Sequence, residues 1–354
     1  MKKFNKKLKI AIITKPTFAS PRVLSGCLAA YLREREFEVS IIYKIDFFKR
    51  TLPYAKVRDK YNRLAWFGYK LINFYKDKVL ASQLREFDML IIAETSPKCY
   101  LKDEYDFVKG KEILNNIPMV YHGVYYLGNA PTILEIFEKE GQNNASIFDW
   151  HLVVSAVTEI RSTPSPPWSQ VGMYLKSTGL MPTAKPRTFA VVDFERQGRE
   201  QIRNEQIQVL ESLGIPFIAL SGTMSIDDIR EIYKKATYYF IQFPESFGLP
   251  IAECLSCGAY IFLPESSWAM AWRLDENPGV HGPGTLAECF VVYGEKENLK
   301  VKLEEMEKGY DLENTPKMVF DIFQKYYRSY YEGNEEQFDL FVENIPALLS
   351  PVQD

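Results

Sequence analysis

Thr237–Leu263 reads TYYFIQFPESFGLPIAECLSCGAYIFL, and this stretch decides the fold. Its first seven residues, Thr237–Phe243, are aromatic-rich and read as a buried strand. Pro244 and Glu245 turn the chain, and Gly248 permits a close backbone approach. Pro250 suits a first helical turn. Ile251, Ala252 and Leu255 then give Pro250–Cys257 an apolar helical face, Gly258 ends it, and Ala259–Leu263 reads as the next strand. Such a unit places a helix N-terminus at the carboxyl end of a strand, where unpaired N–H groups and the helix dipole suit a phosphate or diphosphate. Glu245 and Glu253 flank that point. Carboxylates beside a phosphate repel it unless they accept hydrogen bonds from hydroxyls, so a sugar nucleotide fits the pattern.

Outward from this segment, short apolar runs alternate with helical periodicity. Strands are expected at Leu8–Thr14, Glu38–Tyr43, Asp88–Ala93, Pro118–His122 and Trp150–Ser155, with helices such as Leu24–Glu34 and Pro131–Lys139 between them. Residues 161–186 are rich in proline, serine and threonine and read as a connection between domains. A second series has strands at Thr188–Val192, Pro216–Leu220, Thr237–Phe243, Ala259–Leu263 and Phe290–Tyr293, and helices at Glu200–Leu213, Ile226–Lys235 and Pro250–Cys257. The tail Pro316–Leu349 reads as two helices. With 354 residues the chain exceeds the size of a usual single core. The expected architecture is α/β, with two Rossmann-like doubly wound domains facing a central cleft. The first spans 1–180 and the second 187–330, and a C-terminal segment, 331–354, is expected to pack back on the first domain.

The spacing Glu245-x7-Glu253, with Ser246-Phe247-Gly248-Leu249-Pro250 inside it, resembles the signature of retaining family-four-type glycosyltransferases of the GT-B fold. The family pattern is E-G-F-G-L-P-x-x-E followed by A-x-A-C-G. Here Ser246 replaces the first glycine, and Cys254-Leu255-Ser256-Cys257-Gly258 replaces the small-residue run. The preceding SGTMSIDDIREIYKKATYYF (221–240) resembles the family stretch that lies near the nucleotide base. The likeness covers about 187–263; over the first domain it extends only to layout.

The resemblance implies a nucleoside diphosphate sugar as donor, with a glycan, lipid-linked or protein-linked acceptor. It implies retention, by attack on the face from which the leaving group departs, and a place in surface glycan assembly of bacterial type. Glu253 would bind the ribose and Glu245 the transferred sugar. The backbone around Ser246, Phe247, Gly248 and Leu249 would hold the diphosphate. The family places paired glycines after its first strand; here Ala19-Ser20-Pro21-Arg22 stands there, so Ser20 and Arg22 become candidates, Arg22 having a solvated loop arginine as its alternative. The leaving-group cations would be Arg196 and Arg199, in AVVDFERQGRE. His122, at the end of a strand, would line the sugar site, or else be structural. No cofactor and no metal are implied. The family's Gly-Gly-x-x-Glu pattern is missing after Leu263, where ESSWAMAWRLDENPGVHGPG stands instead. Two rival readings stay open. One is a nucleotide-sugar epimerase of the same fold, and the other is a catalytically silent sugar-nucleotide-binding partner subunit.

A net charge of −3 argues against general nucleic-acid binding. Five cysteines at 27, 99, 254, 257 and 289 lack framework spacing and fit a reducing, cytoplasmic setting. The pair Cys254/Cys257 reads as packing, and Asp227-Asp228 as a helix cap rather than a metal site. One segment stands apart. Lys44–Arg85 holds eleven basic residues against three acidic ones, interleaved with Tyr54, Tyr61, Trp66, Phe67, Phe74 and Tyr75. Residues 44–85 are thus a candidate contact with an anionic membrane at the inner face of the plasma membrane. The alternative is a solvated helical insertion whose aromatics pack on the core.

Overall fold

A computed structural model describes residues 7–15, 19–45, 48, 63–93, 106–124, 147–155, 167–245, 247–275 and 283–350. The expected helix Pro131–Lys139, together with Cys99, His281, Tyr54, Tyr61 and Ser246, lies outside these residues. The chain divides into two units, residues 1–171 with 334–354, and residues 172–333.

The first unit is built on a six-stranded parallel sheet. Its strands are β1 (Lys9–Ile13), β2 (Glu38–Ile42), β3 (Met89–Ala93), β4 (Met119–Gly123), β5 (Trp150–Val153) and β6 (Trp168–Gln170), in spatial order β2-β1-β3-β4-β5-β6. β6 is an addition to the sequence reading. Its three residues, Trp-Ser-Gln, are too short and too polar to stand out, and pairing with β5 makes them a strand. β1, β3 and β4 are continuous apolar runs because both faces of a parallel sheet are covered. One face packs Ala11, Ile13, Leu90, Ile92, Met119 and Tyr121 with Leu80, Leu84, Phe107 and Phe148. The helices of this unit are α1 (Ala19–Glu34), α2 (Arg63–Leu84), α3 (Phe107–Ile113) and, from the far end of the chain, Glu335–Leu349. That last helix is held by Phe338 against Tyr31, centroids 4.2 Å apart, and by Phe341 against Trp150 at 5.9 Å. The Arg35 guanidinium lies over both the Tyr31 and Phe338 rings and pairs with Asp339 at 3.3 Å.

The second unit has a five-stranded parallel sheet: β7 (Ala190–Val192), β8 (Phe217–Ala219), β9 (Tyr238–Phe240), β10 (Tyr260–Leu263) and β11 (Phe290–Val292), in order β11-β10-β9-β7-β8. Its helices are α4 (Glu200–Leu213), α5 (Ile226–Lys235), α6 (Leu249–Ser256), α7 (Lys296–Gly309) and α8 (Thr315–Glu332); the Glu335–Leu349 helix is then α9. The α7 helix, KENLKVKLEEMEKG, adds to the sequence reading: it shows few apolar residues, and Leu299 and Leu303 alone are buried from it. Strand order reverses between β7 and β9, the chain running outward to β8 from one side and to β10 and β11 from the other. In open parallel sheets the crevice at this reversal, beyond the carboxyl ends of the strands, is where ligands bind.

The end of α6 is fixed by Gly258. Its φ is +79°, and a Cβ there would lie 2.3 Å from the Pro316 carbonyl oxygen and 2.7 Å from the Pro316 Cα. The helix therefore packs directly on the α8 backbone. Nearby, the buried Lys185 ammonium donates to the Lys234 and Cys257 carbonyls at 2.7 and 2.8 Å, closing the ends of α5 and α6 together. Gly258→Ala is expected to cost at least about 2–3 kcal/mol, from backbone strain and displacement of α8. Chemical denaturation measures it, and a loss of under about 0.5 kcal/mol contradicts the packing described.

Candidate functional site

The loops after β7 and β9 meet at the reversal of strand order. β7 delivers Asp193, which is only 3% exposed. Its carbonyl accepts from Gln242 Nε2 at 2.6 Å and Arg203 Nε at 3.4 Å, and its N–H donates to the Phe240 carbonyl at 3.1 Å. The start of the β7 loop is thereby tied to the β9 loop. Burial raises the Asp193 carboxyl above the usual carboxylate range, while the Phe194 N–H, Tyr239, Arg196 and Arg203 pull the other way.

Across from it, the β9 loop carries Glu245, which is half-buried. Desolvation first, and the Asp193 charge second, push its carboxyl up to about 7, against the pull of Arg196. The Arg196 guanidinium lies 4.5 Å from the centroid of the Phe243 ring. Two acids and a stacked cation therefore share one electrostatic environment. Two carboxyls held near each other and away from water resist being charged together.

Glu245 leads into the turn that opens α6. Gly248 has φ +65°, and a Cβ there would meet the Ile251 side chain at 2.9 Å and Glu245 Cβ at 3.3 Å. Phe247 is buried and stacks on Trp272, centroids 5.4 Å apart, and its carbonyl accepts from the Trp272 indole N–H at 2.6 Å. Trp272 is in turn enclosed by Tyr327 and Tyr330, whose hydroxyls donate to the Trp272 and Ala271 carbonyls. Leu249 and Pro250 open the helix itself.

Glu253, one turn into α6, is 4% exposed. Arg230, on α5, donates to its Oε1 twice, from Nε at 2.8 Å and Nη2 at 2.7 Å. Burial raises the Glu253 carboxyl and the guanidinium lowers it. The charge-assisted double contact fixes where the carboxylate points.

The candidates drawn from the sequence thus distribute as follows. Glu245, Phe247, Gly248, Leu249, Glu253 and Arg196 cluster around the β9–α6 turn. Arg199 sits at the start of α4 with its guanidinium 5.4 Å from the Trp268 ring centroid. Ser20, Arg22 and His122 belong to the first unit. Ser20 is half-buried and Arg22 exposed, both within the first turn of α1. His122 is buried in β4, with Nδ1 3.2 Å from the Leu152 carbonyl. Desolvation lowers it to about 4, which the hydrogen bond partly offsets, so the ring is neutral and Nδ1 carries the donated proton.

Sequence reading passed over Asp193 and Arg230. Asp193 directly follows the apolar run AVV, at the carboxyl end of a strand, which is a usable signal. Arg230 gives itself away only by falling on the α5 side that meets α6, and that requires the structure. Cys254 and Cys257 are buried free thiols, and burial pushes Cys257 up to about 12, far from a reactive thiolate. Among the described residues no group of three or more His, Cys, Asp or Glu side chains is placed to hold a metal ion.

No protein-family model matches the chain. No curated protein matches it either. Solved structures do. A Listeria monocytogenes protein assigned as a UDP-N-acetylglucosamine 2-epimerase superposes with a TM-score of 0.55 at 12% identity, over 97% of this chain and 96% of its own. Phytolacca americana UGT2, solved with UDP-2fluoro-glucose and pterostilbene, superposes with a TM-score of 0.50 at 13% identity, over 97% of this chain and 99% of its own. The chain has the two-domain, Rossmann-like α/β fold of GT-B type.

A carboxyl raised by the fold binds its proton more tightly folded than unfolded, so Glu245 contributes stability that is lost as pH rises from its unfolded value through about 7. Glu245→Gln is therefore expected to match the parent protein near pH 4 and to exceed it near pH 8, by about 1–3 kcal/mol. Urea unfolding at the two pH values checks this; a difference that does not grow with pH excludes the raised carboxyl.

Proposed function

We propose that this chain is a glycosyltransferase that takes a sugar from a nucleoside diphosphate sugar. The observation that carries the proposal is the pairing of two electrostatic groups around one helix N-terminus at the reversal of strand order. These are Asp193, Glu245 and Arg196 on one side and Glu253 with Arg230 on the other. A ligand with a diphosphate and two sets of hydroxyls, ribose and hexose, satisfies both. The N-terminal N–H groups of α6 near Phe247, Gly248 and Leu249, with Ser246 beside them, take the diphosphate. Glu253, fixed through Oε1 by Arg230, presents its second oxygen to the ribose hydroxyls. Glu245 bonds the hexose hydroxyls.

Arg196 and Arg199 are the cations for the negative charge that develops on the departing diphosphate. Fixed charges aimed there lower the barrier because they need no reorganisation during the reaction. Ser20, Arg22 and His122 are proposed to contribute from the first unit, and a neutral His122 retains an unprotonated Nε2 as acceptor. The acceptor class proposed is a glycan or a lipid- or protein-linked sugar, with retention of configuration, in surface glycan assembly. The second reading, a nucleotide-sugar epimerase, is favoured by Asp193 beside Glu245, two carboxyls raised by burial, of which Glu245, at about 7, is suited to proton transfer near neutrality. The third, a silent sugar-nucleotide-binding subunit, retains the binding site without turnover.

Thermal denaturation with UDP-, GDP-, dTDP- and CMP-sugars tests the donor. One nucleoside diphosphate sugar is expected to raise the melting temperature, a ligand at a hundred times its Kd adding about 2.7 kcal/mol. No shift with any of them overturns the proposal. With the identified donor, Glu245→Ala is expected to lower transfer at least about a hundredfold while the nucleoside diphosphate still binds. Transfer that persists unchanged removes Glu245 from the reaction. Conversion of the sugar to its epimer without an acceptor establishes the second reading instead.

A further inference from the structure

The helix α2 (Arg63–Leu84) buries one face and leaves an equally apolar one in water. Leu80 and Leu84 lie in the core of the first unit, and Asn73 is buried on the same side. On the far side, Phe67, Leu71, Phe74 and Tyr75 are 64, 59, 56 and 69% exposed. Their spacing, i, i+4, i+7 and i+8, makes one continuous stripe. An outward helical stripe in a water-soluble surface is normally polar, and three aromatics in four positions are not explained by packing.

The charges around this stripe are one-sided. Lys70 and Lys78 are exposed beside it, with the Lys78 ammonium 4.7 Å from the Phe74 ring centroid. Asp77, the acid of this helix, is instead paired with Lys109 at 3.0 Å. Residues 44–85 carry eleven basic and three acidic residues, a surplus of eight, in a chain of net charge −3; the remaining residues therefore sum to −11. A chain acidic elsewhere carries its positive surplus in the sequence segment that includes this exposed aromatic stripe.

We propose that the outer face of α2 docks on an anionic lipid surface, its rings entering the headgroup layer and its lysines meeting lipid phosphates. Lysines flanking an apolar stripe lay their methylene stems along it and hold their ammonium groups at the phosphate level. A second copy of this chain is the weaker occupant, because a two-fold pairing through α2 sets the same positive surplus against itself. The proposal is independent of the nucleotide site, and goes beyond it.

Sedimentation of the full chain with vesicles tests it, comparing phosphatidylcholine alone with a mixture containing about one-third phosphatidylglycerol. The expected result is binding at least about tenfold tighter to the anionic vesicles, weakened on moving from about 0.1 M to 0.5 M salt. The triple variant Phe67→Ser, Leu71→Ser, Phe74→Ser is expected to lose it. The double variant Lys70→Glu, Lys78→Glu keeps the rings, is expected to bind anionic vesicles at least about tenfold more weakly, and covers the case in which the triple variant fails to fold. Absence of parent binding to anionic vesicles at low salt overturns the proposal, as does binding that both folded variants retain. A parent dimer in solution that the serine variant dissociates also overturns it, by showing that a second copy covers the face.

Discussion

The β9–α6 turn depends on one contact, the indole N–H of Trp272 bonded to the Phe247 carbonyl with the two rings stacked. An eight-residue helix has little stability of its own, so its direction must come from what its ends touch. At the start, Trp272 holds Phe247, and the tyrosines of α8 hold Trp272. At the finish, Gly258 lets the turn rest on the α8 backbone at Pro316. Both ends of α6 are thus referred to α8, and Glu245, Gly248 and Glu253 inherit their positions from it. Trp272 comes from the stretch directly after β10, so that stretch anchors the turn.

Electrostatically, the site is arranged at some cost. Glu253 and Arg230 are paired away from water, and the gain from such a pair roughly balances the desolvation of its members. Asp193 and Glu245 are worse placed: burial raises both, Asp193 raises Glu245 further, and Arg196 offsets only part of that, while the Phe194 N–H, Tyr239 and Arg203 help Asp193 alone. Carboxyls that destabilise the folded state without repayment from packing are concentrated where strand order reverses. Under the proposed function a sugar nucleotide returns that energy at this position, by giving the acids hydroxyls to bond and the arginines a diphosphate to face.

The strands of both sheets were legible because parallel strands are buried on both faces and show as apolar runs, as MLIIA and MVYHG do. β6 and α7 were not, since WSQ is made a strand by its neighbour and KENLKVKLEEMEKG is held by two leucines. In the site, Glu245, Gly248 and Glu253 could be read because turn and helix chemistry fix their spacing along the chain. Asp193 and Arg230 are 52 and 23 residues distant from Glu245 and Glu253 along the chain, and only the pairing of β7 with β9 and the packing of α5 on α6 bring them in. Local spacing is written in a sequence; partnership across a sheet is not.

The fold alone does not choose between moving a sugar and inverting one of its centres, for both chemistries occupy folds of this kind. The choice falls on what the carboxyls are asked to do. An epimerase needs a base that takes a proton from carbon, hence a charged carboxylate with a second acid opposite. A transferase needs a partner for hydroxyls and a cation for the leaving diphosphate. Near neutrality Glu245 divides between its charged and neutral forms, and Arg196 stands beside it, already stacked on Phe243 and pointing its charge into the same pocket of field. With Arg199 stacked on Trp268, two guanidinium groups are braced on aromatic faces in the second unit, where the proposed function places the diphosphate. Cations braced this way suit stabilisation of a departing diphosphate better than they suit proton abstraction, where a nearby positive charge lowers the strength of the base.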